Sequence, residues 1–338
     1  MKFLLIASLI SFSAMAQVPC DGAAGSYRTN PDSSPGGFVA ATAYVHPAAI
    51  VEVNSQVCQN AYLQGNIQVR GTSLILHNTY IAGAGSIVIR DAIVGNDAVI
   101  TGTPILIADG ALIYGRAIIQ APATIQGNGV GTYLPQVFGD ARVNSGSQIL
   151  GSSLVYGEAL IQNGTLRDNA QVYERAQVSD GAQVEKFAKV YGEAQILGQS
   201  KITDSAEVYE NAYIRGSLIK NFVKVYGNAY IANGDVYAPV GFGISGNARI
   251  FGSAKVYAQS HVYGNAMVFG NATVFTASIS NQAKVSGNAG LTNATVNGRA
   301  IVKGDAVIHA GSIGEDAQVY GSAYIHDGTP VIKGSAQV

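Results

Sequence analysis

From Val45 onward an aliphatic residue returns at every sixth position: 45, 51, 57, 63, 69, 75, 81, 87, 93, 99 and 105. A second run takes in 113, 119 and 125, meets a glycine at 131, and continues through 137, 143, 149, 155 and 161. A third goes from 166 to 214 in steps of six, and the register reaches Val338 with a few shorter or longer steps. A period of six is not the 3.6 of a helix, nor the alternation of long hairpin strands. It fits a strand of two or three residues followed by a corner. Such a unit buries its apolar side chain only by stacking on copies of itself, so the chain is expected to form a solenoid.

The commonest unit runs aliphatic, any, Gly, polar, Ala, any, as in Val262-Tyr263-Gly264-Asn265-Ala266-Met267. The aliphatic residue faces inward, and the small residue four places later fits the narrow interior beside it. Gly and Asn between them tolerate the positive φ that a sharp corner requires.

These units resemble those of the hexapeptide-repeat family, [Ile/Leu/Val]-x-x-x-[small]-x, across residues 45–338. The Tyr-Gly-Asn-Ala wording is also similar to repeats of bacterial and phage fibre proteins. The resemblance implies an all-β fold, a single-stranded left-handed parallel β-helix of triangular section. It would have about 15 turns of about 17–18 residues. With three units per turn, one face carries 51, 69, 87, 105, 125, 143, 161, 178, 196, 214, 231, 256, 274, 291, 308 and 325. Every step of irregular length then begins on that face, at 105, 161, 214, 231, 274, 291, 308 and 325. One corner is therefore expected to absorb all changes of step.

Before the period starts, the chain reads differently. Lys2, the apolar run Phe3–Ile10 and Ala14-Met15-Ala16 form a signal peptide over 1–16, which predicts export with cleavage after Ala16. Gln17-Val18-Pro19 ahead of Cys20 is not a lipobox. No later stretch is long and apolar enough to span a membrane. The expected location is the periplasm, cell surface or exterior of a bacterium. Residues 17–44 lack the period and are expected to fold over the first coils as a cap. Cys20 and Cys58, the only cysteines, are expected to form a disulfide in an oxidising compartment. At the other end the repeat continues to Val338, and either a short frayed strand or pairing with another chain fits that edge.

Charged residues are only 12% and the net charge is −1, with no basic run, which argues against nucleic acid as a partner. The outward residues divide the faces. Just after the inward aliphatic residue, the third face carries Phe138, Tyr156, Tyr173, Tyr191, Tyr209, Tyr226, Phe251 and Phe269 in consecutive turns. The stripe breaks at Ser286 and Lys303 and returns at Tyr320. Three readings stand: a structural ladder of stacked rings, an interface between subunits, and a platform for glycans. The long step from Ile231 to Ile244 adds Tyr237 and Phe242 on an expected protruding loop. A second irregularity, Gly129 to Pro135, is expected to bulge with Tyr133 and Leu134 outward.

Many hexapeptide-repeat proteins are acyltransferases, which implies a trimer with a catalytic His between subunits. Here His46, His77, His261, His309 and His326 are scattered, and only His309 and His326 hold equivalent places one turn apart. No third ligand joins them at the spacing of a zinc site. Asp91, Asp97, Asp109, Glu158, Asp168 and Glu174 form no evident acid–base pair. The expectation is a non-enzymatic fibre or adhesin-like protein without cofactor. It would self-associate, with a trimer as one arrangement, or bind a surface glycan or envelope protein. The alternative is a polysaccharide-binding rod, or less directly a glycan-processing or acyltransferase-like enzyme.

Overall fold

The computed structural model describes residues 19–128, 134–232, 243–326, 328 and 330–338. They form a parallel β-solenoid of about 15 turns, and no α-helix occurs among them. Each coil visits three faces in the order first, second, third. Strand pairing in register defines them. The first face stacks Val45, Leu63, Ile81, Ile100, Ile119, Val143 and Ile161. The second stacks Val51, Val69, Ile89, Ile107, Ile125, Ile149 and Leu166. The third stacks Val39, Val57, Ile75, Val94, Ile113, Val137 and Val155.

All of these except the outermost pair, Val39 and Val45, are buried, and with the corner alanines they make one continuous core along the rod. The corners turn on residues of positive φ. At the corner after the third face these include Gly139, Gly157, Glu174, Gly192, Glu210 and Gly227. Ala four residues after the inward position (Ala141, Ala159, Ala176, Ala194) is fully buried against the strands. Where Ser replaces Ala the hydroxyl is also used: Ser153 Oγ donates to the Leu150 carbonyl at 2.8 Å, and Ser200 Oγ to that of Leu197 at 2.7 Å. A buried hydroxyl with a partner escapes the desolvation cost of an unpaired one.

The register differs from the sequence reading in the N-terminal third. Val94 and Ile100 face inward, not Ile93 and Val99. Ile87 and Ile89 are both buried, as are Ile105 and Ile107, and the second member of each pair lies in the column with Val69 and Ile125. The stretch between Ile125 and Val137 is one lengthened step, since Ile125 pairs with Ile149 and Ile113 with Val137. Gly131 therefore cannot stand for a whole unit. Residues expected on one face, 51 to 125 and then 143 to 325, belong to the second face before the long step and to the first face after it.

The irregular steps are redistributed accordingly. From Val137 onward all of them leave the first face: 161→166, 214→219, 231→244, 274→279, 291→296, 308→313 and 325→332. Nearer the N-terminus 81→89 and 100→107 obey the same rule, but 89→94 and 125→137 leave the second face. The five-residue steps 161→166 and 214→219 each turn on a single left-handed residue, Asn163 (φ 53°) or Gly216 (φ 59°), whereas the six-residue steps 143→149 and 178→184 use a pair, Ser145–Gly146 or Asp180–Gly181.

At the N-terminal end, Gly25–Thr29 pairs antiparallel with Pro35–Ala40, and the latter pairs parallel with Gln56–Val57. The solenoid thus begins at Pro35–Ala40, earlier than the period beginning at Val45. The outer hairpin arm covers the edge of the third-face sheet, an arrangement that removes a template for unwanted strand pairing. Cys20 and Cys58 form a disulfide with Cα atoms 5.3 Å apart, and both pack with Phe38 and Ala40 in a small separate cluster.

Candidate functional site

The third face is the most regular outer surface of the rod. In-register pairing puts the residue after each inward aliphatic residue beside its equivalent in the next coil, about 4.8 Å away. Nine rings follow one another there: Tyr114, Phe138, Tyr156, Tyr173, Tyr191, Tyr209, Tyr226, Phe251 and Phe269. Successive centroids lie 4.8–5.0 Å apart with interplanar angles of 2–4°. All nine rings are half-buried. Each interior ring has both faces covered by its neighbours, so the surface meets solvent with ring edges and phenol tips.

That geometry alters the chemistry on offer. Burial pushes the phenol of Tyr191 up to about 12, with the Glu207 carboxylate adding to the effect. Tyr173 is raised further, again chiefly by burial, and Tyr114, Tyr156 and Tyr209 are raised in the same direction. Burial thus favours the neutral phenol along the ladder. The Tyr114 hydroxyl donates to Gln136 Oε1 at 3.3 Å.

The residue before each inward position forms a second outward column: Gln171, Lys189, Glu207, Lys224, Arg249, Met267 and Lys284. Lys224 Nζ meets Glu207 Oε2 at 2.9 Å. Along the corner beside the rings, polar side chains join equivalent positions of adjacent coils. Asn60 donates to Asn78 and Asn78 to Asp97, at 3.2 and 3.1 Å. Farther along, Asn271 donates to Asn288 and Asn288 to Asp305, at 3.0 and 2.8 Å. Carboxylates at left-handed corner positions accept the next coil's backbone N–H: Glu174 from Gly192 at 2.8 Å, and Glu210 from Gly227 at 2.9 Å. Arg175 pairs with Glu193 on the same corner.

The eight rings expected on the third face are therefore brought together, and Tyr114 joins them. It was missed because Gly131, counted as a unit, moved Tyr114 to another face. The wording could have placed it: Tyr114-Gly115-Arg116-Ala117 repeats Tyr156-Gly157-Glu158-Ala159. Aromatic ladders are not confined to this face. Tyr44, Tyr62 and Tyr80 stack on the first face with centroids 4.5 and 5.6 Å apart, and Tyr213 stacks on Tyr230 at 4.7 Å. Tyr237 and Phe242 lie outside the described residues, as do Tyr133 and residues 1–16, where a signal peptide is expected. Leu134 is half-buried, its Cδ2 lying against Gly110.

His309 and His326 follow Ile308 and Ile325, which pair directly. Tyr324 sits against both rings, edge-on to His309 at 6.0 Å and tilted against His326 at 4.7 Å. They border an open depression of about 460 Å³ with Thr292 and Asn293. Among the described residues no group of three or more His, Cys, Asp or Glu is placed to hold a metal ion. No helix among them is long and apolar enough to cross a membrane. In comparisons with known proteins, the chain matches no family model and no curated protein sequence.

Proposed function

We propose that this chain is an exported, non-enzymatic rod of the bacterial envelope or exterior, fibre or adhesin-like, that works by presenting its third face to a target. The observation that carries the reading is the unbroken register of that face. One ring column and one charged column repeat in parallel through successive coils. Such a surface suits a long repetitive partner better than a small substrate. Along the corner beside it, Asn and carboxylate side chains each make a hydrogen bond with the neighbouring coil rather than converging on a point. That favours a scaffold over a catalytic constellation.

Self-association through the stripe is the competing reading. It is favoured by the sheer length of the ring column. The half-burial of every ring weighs against it, because covered ring faces leave little apolar area for another subunit. Sedimentation of the chain and of a Tyr173→Ser/Tyr191→Ser/Tyr209→Ser variant separates the two. A single-chain mass for both supports target binding, and an oligomer that the triple substitution dissolves supports self-association. Export is tested by N-terminal sequencing of protein from the cell exterior or periplasm, with Gln17 expected as the first residue.

A further inference from the structure

We infer that the C-terminal half of the third face is a binding surface for an extended acidic polysaccharide. This rests on the reading of the third face as a target-binding surface and names the class of target.

Charge is unevenly divided along the rod. Residues 211–304 contain eight Lys and Arg against one acid, Asp235, whereas the rest of the chain holds twelve against twenty. No short stretch of sequence looks basic, because the cations are dispersed, with none between Lys255 and Lys284. Folding collects them. Lys224, Arg249 and Lys284 share the outward column of the third face, interrupted only by Met267. Lys303 stands two coils beyond Phe269 in the ring column, with its Nζ 5.5 Å from the centroid of Tyr320. Arg249 and Lys284 are exposed and have no ion-pair partner among the described residues.

The flanks reinforce this. The corners bordering these coils carry Gly227-Asn228, Gly252-Ser253 and Gly270-Asn271 on one side, and Gly246-Asn247 and Gly264-Asn265 on the other. Glu174, Glu193 and Glu210 occupy the first of these corners in earlier coils, and Asp305, which accepts from Asn288, takes the same place after Lys303; none stands beside Lys224, Arg249 or Lys284. The rings between the flanks, Tyr226, Phe251 and Phe269, show their edges outward, and an aromatic edge carries partial positive charge. Cations, ring edges and neutral amides thus form a strip with a positive field and hydrogen-bonding borders.

The strip selects the form of the anion. Single-stranded nucleic acid binds by stacking bases on exposed ring faces, and in this ladder those faces are already occupied. A polyuronate asks for none. It offers a carboxylate on each sugar, hydroxyls for the Asn and Ser flanks, and an extended shape matching cations set out along the rod at multiples of about 4.8 Å.

The test measures binding of polygalacturonate fragments to the purified chain by calorimetry, with neutral dextran and oligo(dT) as comparators. Polygalacturonate is expected to bind, dextran not to, and oligo(dT) to bind more weakly. Affinity should fall several-fold between about 50 and about 300 mM NaCl as screening grows. Arg249→Glu/Lys284→Glu should lose at least about tenfold. Lys220→Glu/Lys255→Glu changes charge equally on the other two faces and should lose less than about threefold. Absence of polygalacturonate binding, equal losses in the two variants, or tighter binding of oligo(dT) or dextran overturns the assignment. Labelling of a Ser286→Cys variant keeps the two readings apart. A labelled rod that ignores polygalacturonate sinks the acidic-glycan assignment alone, whereas an oligomer that protects the thiol sinks the reading of the face beneath it.

Discussion

At the scale of single residues, the solenoid depends on what a corner can hold. Gly192 has φ 74°, and a Cβ built there would lie 2.6 Å from the backbone nitrogen of Glu210 in the next coil. Gly181 has φ 85°, but a Cβ there meets nothing within 4 Å. Both substitutions by Ala pay the left-handed penalty of about 1 kcal/mol. Only Gly192→Ala must also push two coils apart. Denaturant unfolding should find Gly192→Ala the more destabilising by at least about 1 kcal/mol. Equal costs would mean that coil contact at the corner is looser than the structure shows.

At the scale of elements, the ring ladder is a stabilising column before it is anything else. Removing Tyr191 deletes its stacking on both Tyr173 and Tyr209. At about 0.2–1 kcal/mol per pair, Tyr191→Ser should cost about 0.4–2 kcal/mol, read from the unfolding midpoint. The ladder also has a pH signature. The folded chain favours the neutral phenols of Tyr173 and Tyr191, the latter pushed up to about 12. Unfolded tyrosine ionises near 10. The ladder's contribution is therefore whole below pH 10 and is lost as pH rises from there toward the folded values. Unfolding compared at about pH 9 and about pH 11 should show a marked drop, smaller in Tyr173→Phe/Tyr191→Phe; an identical drop in both proteins would place the alkaline weakness elsewhere.

The same scale shows how far the sequence could be read. Beyond Val137 the three faces and the ring stripe followed from spacing, because each coil there has one aliphatic residue at the inward place and a polar, aromatic or small residue on most outward ones. In the N-terminal third that contrast disappears. Ile93 and Val94, or Val99 and Ile100, are equally apolar neighbours, and only strand pairing decides which one faces in. Tyr114 was lost through the lengthened step before Val137. The cation column was illegible for another reason: Lys224, Arg249 and Lys284 lie 25 and 35 residues apart in the sequence and fall into one column only through the coil register.

At the scale of the whole molecule, each coil touches mainly its neighbours, so stability is close to one-dimensional. The Cys20–Cys58 bridge closes a loop of sequence separation 38 and holds the hairpin over the first coils. Its loss should cost about 2–4 kcal/mol, but locally. Hydrogen exchange after Cys20→Ser/Cys58→Ser is expected to rise up to about Ile75 and to stay unchanged beyond Val137. A uniform rise would show that the rod unfolds as one unit.

About 15 coils at about 4.8 Å make a rod about 70 Å long, with its third face running along its length. Small-angle scattering of the purified chain tests that picture most directly, since it reports mass and length together. The account predicts one chain per particle and a length of about 70 Å, unchanged by Tyr173→Ser/Tyr191→Ser/Tyr209→Ser. A discrete oligomer that falls to single chains on that substitution would contradict it, because the face would then be spent on self-association.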